Sequence, residues 1–186
     1  DKNILTVKSD LLRSMIASLI VYMRKDSAWE NYELIGGKSP INELSEKLVD
    51  KLQQRLPDFF VLQAMRYTPP FTIKCIKQLK EKNIKDVVLF PLYPQYSTTT
   101  TKSSLEEFER EAKGEFNLTI IEPFYKNRAF NGMIINEIIS KVFREKYNEY
   151  DLIFSAHGLP QQIVDKGDPY QKEIEEHVEL LKNKLV

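Results

Sequence analysis

Four short apolar runs recur along the chain at nearly equal spacing. They occupy residues 59–62, 87–93, 118–122 and 152–154 and are rich in β-branched and aromatic residues, which predicts β-strands. Their starts lie roughly 30 residues apart, the size of a βαβ unit, and each gap carries a helical pattern. The runs are continuously apolar, as is typical of a parallel sheet covered on both faces. We therefore expect an α/β fold with three layers, a parallel sheet flanked by helices.

Further helical patterns lie outside this core. Ser39 and Pro40 supply a helix cap and a first-turn proline, and Asp168 begins a similar pattern near the end of the chain. The chain starts with a helical pattern where such a sheet normally starts with a strand. We therefore expect residues 1–186 to be an incomplete amino-terminal α/β domain without its first strand and second half. Residues 168–186 would be the helix that leads towards a missing second domain.

The composition of the chain indicates which partners and which cellular compartment to expect. The 27 basic and 27 acidic residues give no net charge, so the chain lacks the positive field that binds a nucleic-acid backbone, and nucleic acid is not an expected partner. The single cysteine, Cys75, excludes a disulfide framework and falls in a helical apolar pattern, where we expect it to pack in the core. The longest apolar stretch, residues 15–23, falls well short of the roughly 20 residues that span a bilayer. No secretory leader is visible, and we expect a cytoplasmic protein.

The two histidines occupy different surroundings. His157 follows the last apolar run and precedes Gly158, at the carboxyl end of a predicted parallel strand, where open α/β sheets bind ligands. From position alone, a ligand-binding histidine and a hydrogen-bonded structural histidine are equally acceptable interpretations. His177 stands among glutamates in a helical pattern, and we expect it on the solvated face of that helix.

Residues 90–97 leave a second predicted strand at the same edge of the sheet. Two prolines and two tyrosines make this segment a rigid aromatic wall with hydroxyl groups, suited to a flat apolar ligand with polar edges. The sequence Gly37-Lys38-Ser39 has the ending of a phosphate-binding loop, but Tyr32 stands where that motif requires glycine. A tight turn at Gly36 and Gly37 is the better interpretation.

Four segments together resemble the signature motifs of ferrochelatases. They are N-Y-E-L-I-G-G-K-S-P at 31–40, F-P-L-Y-P-Q-Y-S at 90–97, S-A-H-G-L-P at 155–160 and D-K-G-D-P-Y at 165–170. Their order and spacing are those of the family, and they extend over nearly the whole chain. The resemblance implies insertion of Fe²⁺ into protoporphyrin IX, the closing step of haem synthesis, by a chelatase fold of two α/β halves.

The resemblance also implies roles for particular residues. His157 would face the porphyrin centre as metal ligand and proton acceptor, and Arg24, Tyr32 and Ser39 would contact the porphyrin. The apolar helix over residues 11–23 would form the lip of the cleft. Fe²⁺ would be a substrate, with no tightly bound cofactor, and peripheral membrane contact stays open. The missing carboxyl-terminal half would supply the acidic residue that opposes the histidine.

Two alternatives remain at this point. A chelatase of the same fold could load another divalent metal or use another tetrapyrrole, because ligand type alone rarely fixes metal preference. A noncatalytic module that binds a tetrapyrrole would have a similar sequence pattern around its ligand.

Overall fold

The computed structural model describes residues 5, 7–142 and 150–185. In this part of the chain there are seven α-helices, one short π-helical turn and two strands. In order they are α1 (Asp10–Glu33), α2 (Ile41–Arg55), α3 (Thr72–Glu81), β1 (Asp86–Leu89), the π-helical turn (Thr98–Lys102), α4 (Ser103–Ala112), β2 (Asn117–Ile120), α5 (Arg128–Lys141), α6 (Gln161–Asp165) and α7 (Tyr170–Leu185).

The chain divides into two compact units. The first unit comprises Asp1–Lys85 and Glu107–Gly114, and the second comprises Asp86–Glu106 and Glu115–Val186.

The second unit contains a pair of parallel strands. β1 and β2 pair in parallel with the register Asp86↔Asn117 through Leu89↔Ile120, and α4 lies between them in sequence. This confirms the predicted α/β class and the parallel direction, in a sheet of two strands within the described residues. β1 ends before Pro91, which has no N–H to continue a ladder, so the strand is shorter than the apolar run that predicted it.

Two of the four predicted strands are wrong in the described structure. Residues 59–62 are irregular because the Gln53 side chain takes their hydrogen bonds: its Nε2 donates to the carbonyl of Phe59 at 2.6 Å and its Oε1 accepts from the N–H of Val61 at 3.0 Å. Residues 152–154 are also irregular, and Ile153 is 85% exposed. A strand requires a neighbouring strand, and in the described sheet β1 and β2 pair only with each other.

The core of the second unit lies where α5 packs against α7. Ile135 of α5 and Leu181 of α7 are buried, and Phe124 makes edge-to-face contacts with Phe90 and Phe130 at centroid distances of 5.4 and 5.0 Å. The aromatic cluster therefore joins the end of β1 to the start of α5.

In the first unit, the buried face of α3 supplies most of the core. Cys75, Ile76 and Leu79 are buried there, and the free Cys75 thiol donates to the carbonyl of Gln63 at 3.0 Å. The predicted core position of Cys75 is thus confirmed. By contrast, α1 buries no residue, and most of its apolar side chains are exposed. No helix in the described ranges has the length and apolar character needed to cross a membrane.

Candidate functional site

His157 lies on an accessible, irregular segment of the second unit. Its side chain is exposed within residues 151–160, which connect to α6. The following helix is anchored, because Ile163 is buried and its carbonyl accepts a hydrogen bond from the N–H of Asp168 at 3.3 Å. The imidazole is therefore accessible to a ligand from solvent, next to a fixed helix.

Arg24, Tyr32 and Ser39 lie on or just after α1, in the first unit. Arg24 is exposed, and Tyr32, eight residues later, is 40% exposed in the last turn. Eight residues advance about 12 Å along a helix axis. Ser39 is exposed, and its Oγ accepts a hydrogen bond from the N–H of Ile41 at 3.3 Å, at the start of α2.

The turn between Tyr32 and Ser39 requires glycine. Gly36 and Gly37 have φ values of +94° and +81°, a region that side chains disfavour. The N–H of Gly37 donates to the carbonyl of Tyr32 at 2.7 Å, which closes the end of α1. The predicted tight turn is confirmed, and it lies between Tyr32 and Ser39 in the chain.

An exposed ion pair stands beside Ser39. The Lys38 ammonium contacts the Glu43 carboxylate, and the hydrogen bond between them raises the pKa of Lys38 and lowers the pKa of Glu43. Both groups are solvated, so the pair contributes little to the free energy of unfolding.

Residues 90–94, the first part of the predicted wall at 90–97, form an aromatic surface on the second unit. Phe90, Leu92 and Tyr93 are exposed by 47%, 52% and 37%. Behind them, the carbonyl of Pro94 accepts hydrogen bonds from the N–H groups of Phe124 and Tyr125 at 2.9 and 3.0 Å. The segment therefore presents apolar side chains while its backbone is held from behind.

The next four residues, 95–98, bind to the amino-terminal half of α7 and to the residue that caps it. We call them the α7-bound segment. Gln95 Nε2 lies 2.8 Å from His177 Nδ1, and the N–H of Tyr96 donates to Glu173 Oε2 at 2.7 Å. Asp168 holds the residues that follow, so every position of the segment has a partner at 168, 173 or 177.

Asp168 accepts four hydrogen bonds. Its donors are the Ser97 hydroxyl at 3.0 Å, the Thr98 N–H at 2.7 Å, the Thr98 hydroxyl at 2.6 Å and the Tyr170 N–H at 3.0 Å. Burial alone would raise the pKa of Asp168, but these bonds favour the carboxylate, and its pKa lies below the ordinary value. The charged form is therefore the one that joins the two segments.

The structure contradicts the expected place of His177. His177 is buried, with an exposed fraction of 8%; its Nε2 lies 2.9 Å from Asn131 Oδ1, and its ring stacks on Phe130. Burial lowers its pKa. The glutamates beside it in sequence suggested a solvated face, but successive residues are 100° apart around a helix, and His177 lies three residues after Ile174 and four before Leu181, on the apolar side.

Two further features bear on ligand sites. A cavity of about 260 Å³ in the first unit is lined by α2, by α3 including Cys75, and by residues 61–63 with Pro70; its lining includes none of Arg24, Tyr32 and Ser39. Within the described ranges, no three or more histidine, cysteine or acidic side chains gather as a metal-binding cluster.

Comparison with known proteins decides the family. A sequence model of the ferrochelatase family matches residues 1–186. The chain belongs to the ferrochelatase family. The motif resemblance and the α/β chelatase class expected from it are thereby confirmed.

Individual ferrochelatases match over almost the whole chain. The chain is 52% identical to the ferrochelatase of a Nitratiruptor species over 97% of its length, and 48% identical to that of Sulfurimonas denitrificans over 100% of its length. Identity to the ferrochelatase of Wolinella succinogenes is 44%, over 97% of the chain. These matches cover 60%, 60% and 58% of the relatives, so the chain spans about three-fifths of their length.

Proposed function

We propose that the complete protein that contains residues 1–186 inserts Fe²⁺ into protoporphyrin IX and so closes haem biosynthesis. The observation that carries this proposal is the ferrochelatase match along the full chain. In the reaction, two pyrrole nitrogens exchange their protons for bonds to iron, while the other two donate lone pairs. Haem and two protons are released, and iron keeps its oxidation state.

His157 is the residue that we assign to the reacting centre. Its exposed imidazole has the ring nitrogens that can accept a proton or bind a divalent metal. The small neighbours Ala156 and Gly158 leave room for a flat macrocycle beside the ring. We assign His157 the role of proton acceptor and iron ligand during insertion.

Arg24, Tyr32 and Ser39 are assigned to porphyrin binding. A guanidinium stays charged and forks onto carboxylates, so Arg24 suits a propionate. The hydroxyls of Tyr32 and Ser39 can donate to the porphyrin's polar edge. The exposed aromatic residues at 90–93 offer apolar contact to the porphyrin. Because their backbone is rigid, part of the binding energy can bend the macrocycle, which exposes nitrogen lone pairs to iron.

The proposal includes partners beyond these residues. We assign the acidic group that opposes His157 to the carboxyl-terminal half of the complete protein, as the family resemblance implies. Fe²⁺ is treated as a substrate, and no resident cofactor is assigned. We place the protein in the cytoplasm, where an unpaired thiol such as Cys75 stays reduced. The exposed apolar side chains of α1 suit peripheral contact with a membrane, which vesicle co-sedimentation would test.

The test is an anaerobic insertion assay with the complete protein. Fe²⁺, Co²⁺ and Zn²⁺ are offered with protoporphyrin IX and with coproporphyrin III, and product is followed by absorbance. Haem formation from Fe²⁺ and protoporphyrin IX, at a higher kcat/KM than any other pair, is expected. Preference for another metal or tetrapyrrole would favour the alternative chelatase. Tight porphyrin binding without turnover would favour a binding module.

A further inference from the structure

The buried histidine of α7 contacts a segment that continues from the exposed aromatic surface. Gln95 follows directly after Pro94, and the two residues before that, Leu92 and Tyr93, are exposed. Gln95 itself is 7% exposed, and its side-chain amide is buried against His177. His177 therefore touches no surface ligand, but it holds a residue two positions from the surface that we assign to the porphyrin.

The hydrogen bonds fix the form of the imidazole. The Gln95 Nε2 amide nitrogen can only donate, so His177 Nδ1 must accept and carry no proton. On the other side, Asn131 Nδ2 donates to the carbonyl of Tyr125 at 2.9 Å, which turns Asn131 Oδ1 towards His177 Nε2 as an acceptor. The network is complete only for the neutral imidazole with its proton on Nε2.

We propose that His177 is a positioning residue for porphyrin binding, which in its neutral form fixes Gln95 and the aromatic residues before it, and which releases them when it is protonated. This inference rests on the proposed function. If Nδ1 carried a proton, its N–H would face the N–H of the Gln95 side-chain amide, so that two donors would meet inside a buried site. Such a contact costs the hydrogen bond and leaves polar groups unpaired, so the α7-bound segment loses its attachment at Gln95.

Burial favours the neutral ring of His177, and the carboxylates nearest to it are engaged by other donors. On its own helix, Glu173 is engaged by the Tyr96 N–H, and Glu176 by the Tyr125 hydroxyl and the Lys126 ammonium. From α5 the ring meets the uncharged Asn131 and Phe130, and from the segment before α5 it meets the Tyr125 ring at 6.0 Å. Burial lowers the pKa of His177 below its ordinary value near 6.5. Release is therefore expected on the acid side of pH 6.5.

Two substitutions separate positioning from folding. His177→Gln keeps one donor and one acceptor in the site but does not titrate. His177→Phe keeps a ring against Phe130 and removes both hydrogen bonds. Glu179→Gln is the matched control, because Glu179 is exposed on the same helix and pairs with Lys182 at its surface.

The complete protein is measured with protoporphyrin IX as the probe, by fluorescence titration and by steady-state turnover between pH 5.5 and 8. At pH 7.5, His177→Phe should weaken porphyrin affinity and raise the KM for porphyrin by about tenfold, the size expected for lost buried hydrogen bonds, with the KM for Fe²⁺ unchanged. His177→Gln should bind as the wild type does at pH 7.5 and should lose less affinity than the wild type as pH falls. Glu179→Gln should follow the wild type throughout.

Amide hydrogen exchange of Tyr96 and Thr98, without porphyrin, gives a readout that is independent of turnover. Exchange should quicken in His177→Phe and, at acid pH, in the wild type. Wild-type affinity in folded His177→Phe, or identical pH profiles for wild type and His177→Gln, would overturn the role of His177 even if the enzyme makes haem. The expected profiles in a protein that binds porphyrin but makes no haem would contradict the proposed function and leave the positioning role standing.

Discussion

The carboxylate of Asp168 accepts hydrogen bonds from both the N–H and the hydroxyl of Thr98, at 2.7 and 2.6 Å, although the two residues are 70 positions apart. The same carboxylate accepts from the hydroxyl of Ser97, the last residue of F-P-L-Y-P-Q-Y-S, at 3.0 Å, so that motif and D-K-G-D-P-Y are parts of one hydrogen-bonded structure. D-K-G-D-P-Y does not need to touch a porphyrin to matter for binding, because it holds the residue that follows F-P-L-Y-P-Q-Y-S.

Asp168→Asn should lower the free energy of unfolding by about 2–4 kcal/mol, because an amide cannot accept from all the buried donors that face the carboxylate. The pKa of Asp168 is depressed in the folded chain. Its contribution is therefore complete above the ordinary pKa near 3.9 and is lost as pH falls through the lower, folded value. Chemical denaturation between pH 3 and 7 measures both effects. Asp165→Asn, an exposed carboxylate on α6, is the control and should change stability little; an equal loss in both variants would contradict the role of Asp168.

His157→Ala should remove most iron insertion while porphyrin affinity stays nearly intact. Apolar contact and propionate pairing supply binding energy, whereas the imidazole acts when protons leave and metal enters. Loss of general acid–base catalysis alone typically lowers a rate 10²–10⁴-fold. Insertion rate, porphyrin affinity and melting temperature are measured on the same preparation, with exposed Gln162→Ala as the control. A folded His157→Ala enzyme with near-normal turnover would exclude the proposed role.

Arg24→Ala should weaken porphyrin binding by roughly tenfold or more, since a hydrogen bond to a charged group contributes about 1.5–3 kcal/mol. Arg24→Lys should restore part of the affinity, because a lysine keeps the charge but loses the fork. Fluorescence titration of the complete protein gives the affinities. Lys25→Ala removes the neighbouring exposed charge and should have a much smaller effect; if the two alanine variants behave alike, only net charge matters and the assignment of Arg24 fails.

Gly37→Ala should destabilise the turn after α1, because alanine at a φ of +81° is strained by about 1–2 kcal/mol. The turn joins Tyr32 to Ser39, so porphyrin affinity should fall as well. Thermal unfolding and titration measure the two losses. Gly158→Ala is the control for stability: Gly158 has no positive φ in the left-handed range and no atom near its virtual Cβ, so its melting temperature should stay close to that of the wild type.

The parts of the fold that sequence predicted well are those set by local pattern. The capping residues before α2 and α7 mark the starts of those helices, whereas α1 extends ten residues beyond the predicted end at Met23, to Glu33. Strands were harder to predict, because a strand exists only with a partner. The apolar runs at 87–93 and 118–122 contain strands that pair with each other. At 59–61, the carbonyl of Phe59 and the N–H of Val61 bond instead to the Gln53 side chain, a contact that no apolar pattern reveals.

The candidate site was predicted from motifs, and its supporting contacts were not. The motifs pointed to His157, Arg24, Tyr32 and Ser39, whose roles stay predictions. The predicted solvated position of His177 is wrong, because its glutamate neighbours indicate an exposed face whereas its angular position on the helix places it on the apolar side. That angular position was readable from the sequence, but its partners Gln95 and Asn131, 82 and 46 positions away, were not, since nothing in the chain marks two distant amides as a pair.

The distance along the chain between the α7-bound segment and its partners also sets an order of assembly during synthesis. β1 and β2 are 31 residues apart in register and can pair early. Thr98 cannot bond to Asp168 until the 70 residues that separate them have been synthesised. At about 5–20 residues per second, this synthesis takes about 4–14 s. Through that interval the nascent chain carries an apolar aromatic segment without the hydrogen bonds that hold it, so the same stretch that we assign to porphyrin is open to chaperones or to premature capture of a tetrapyrrole.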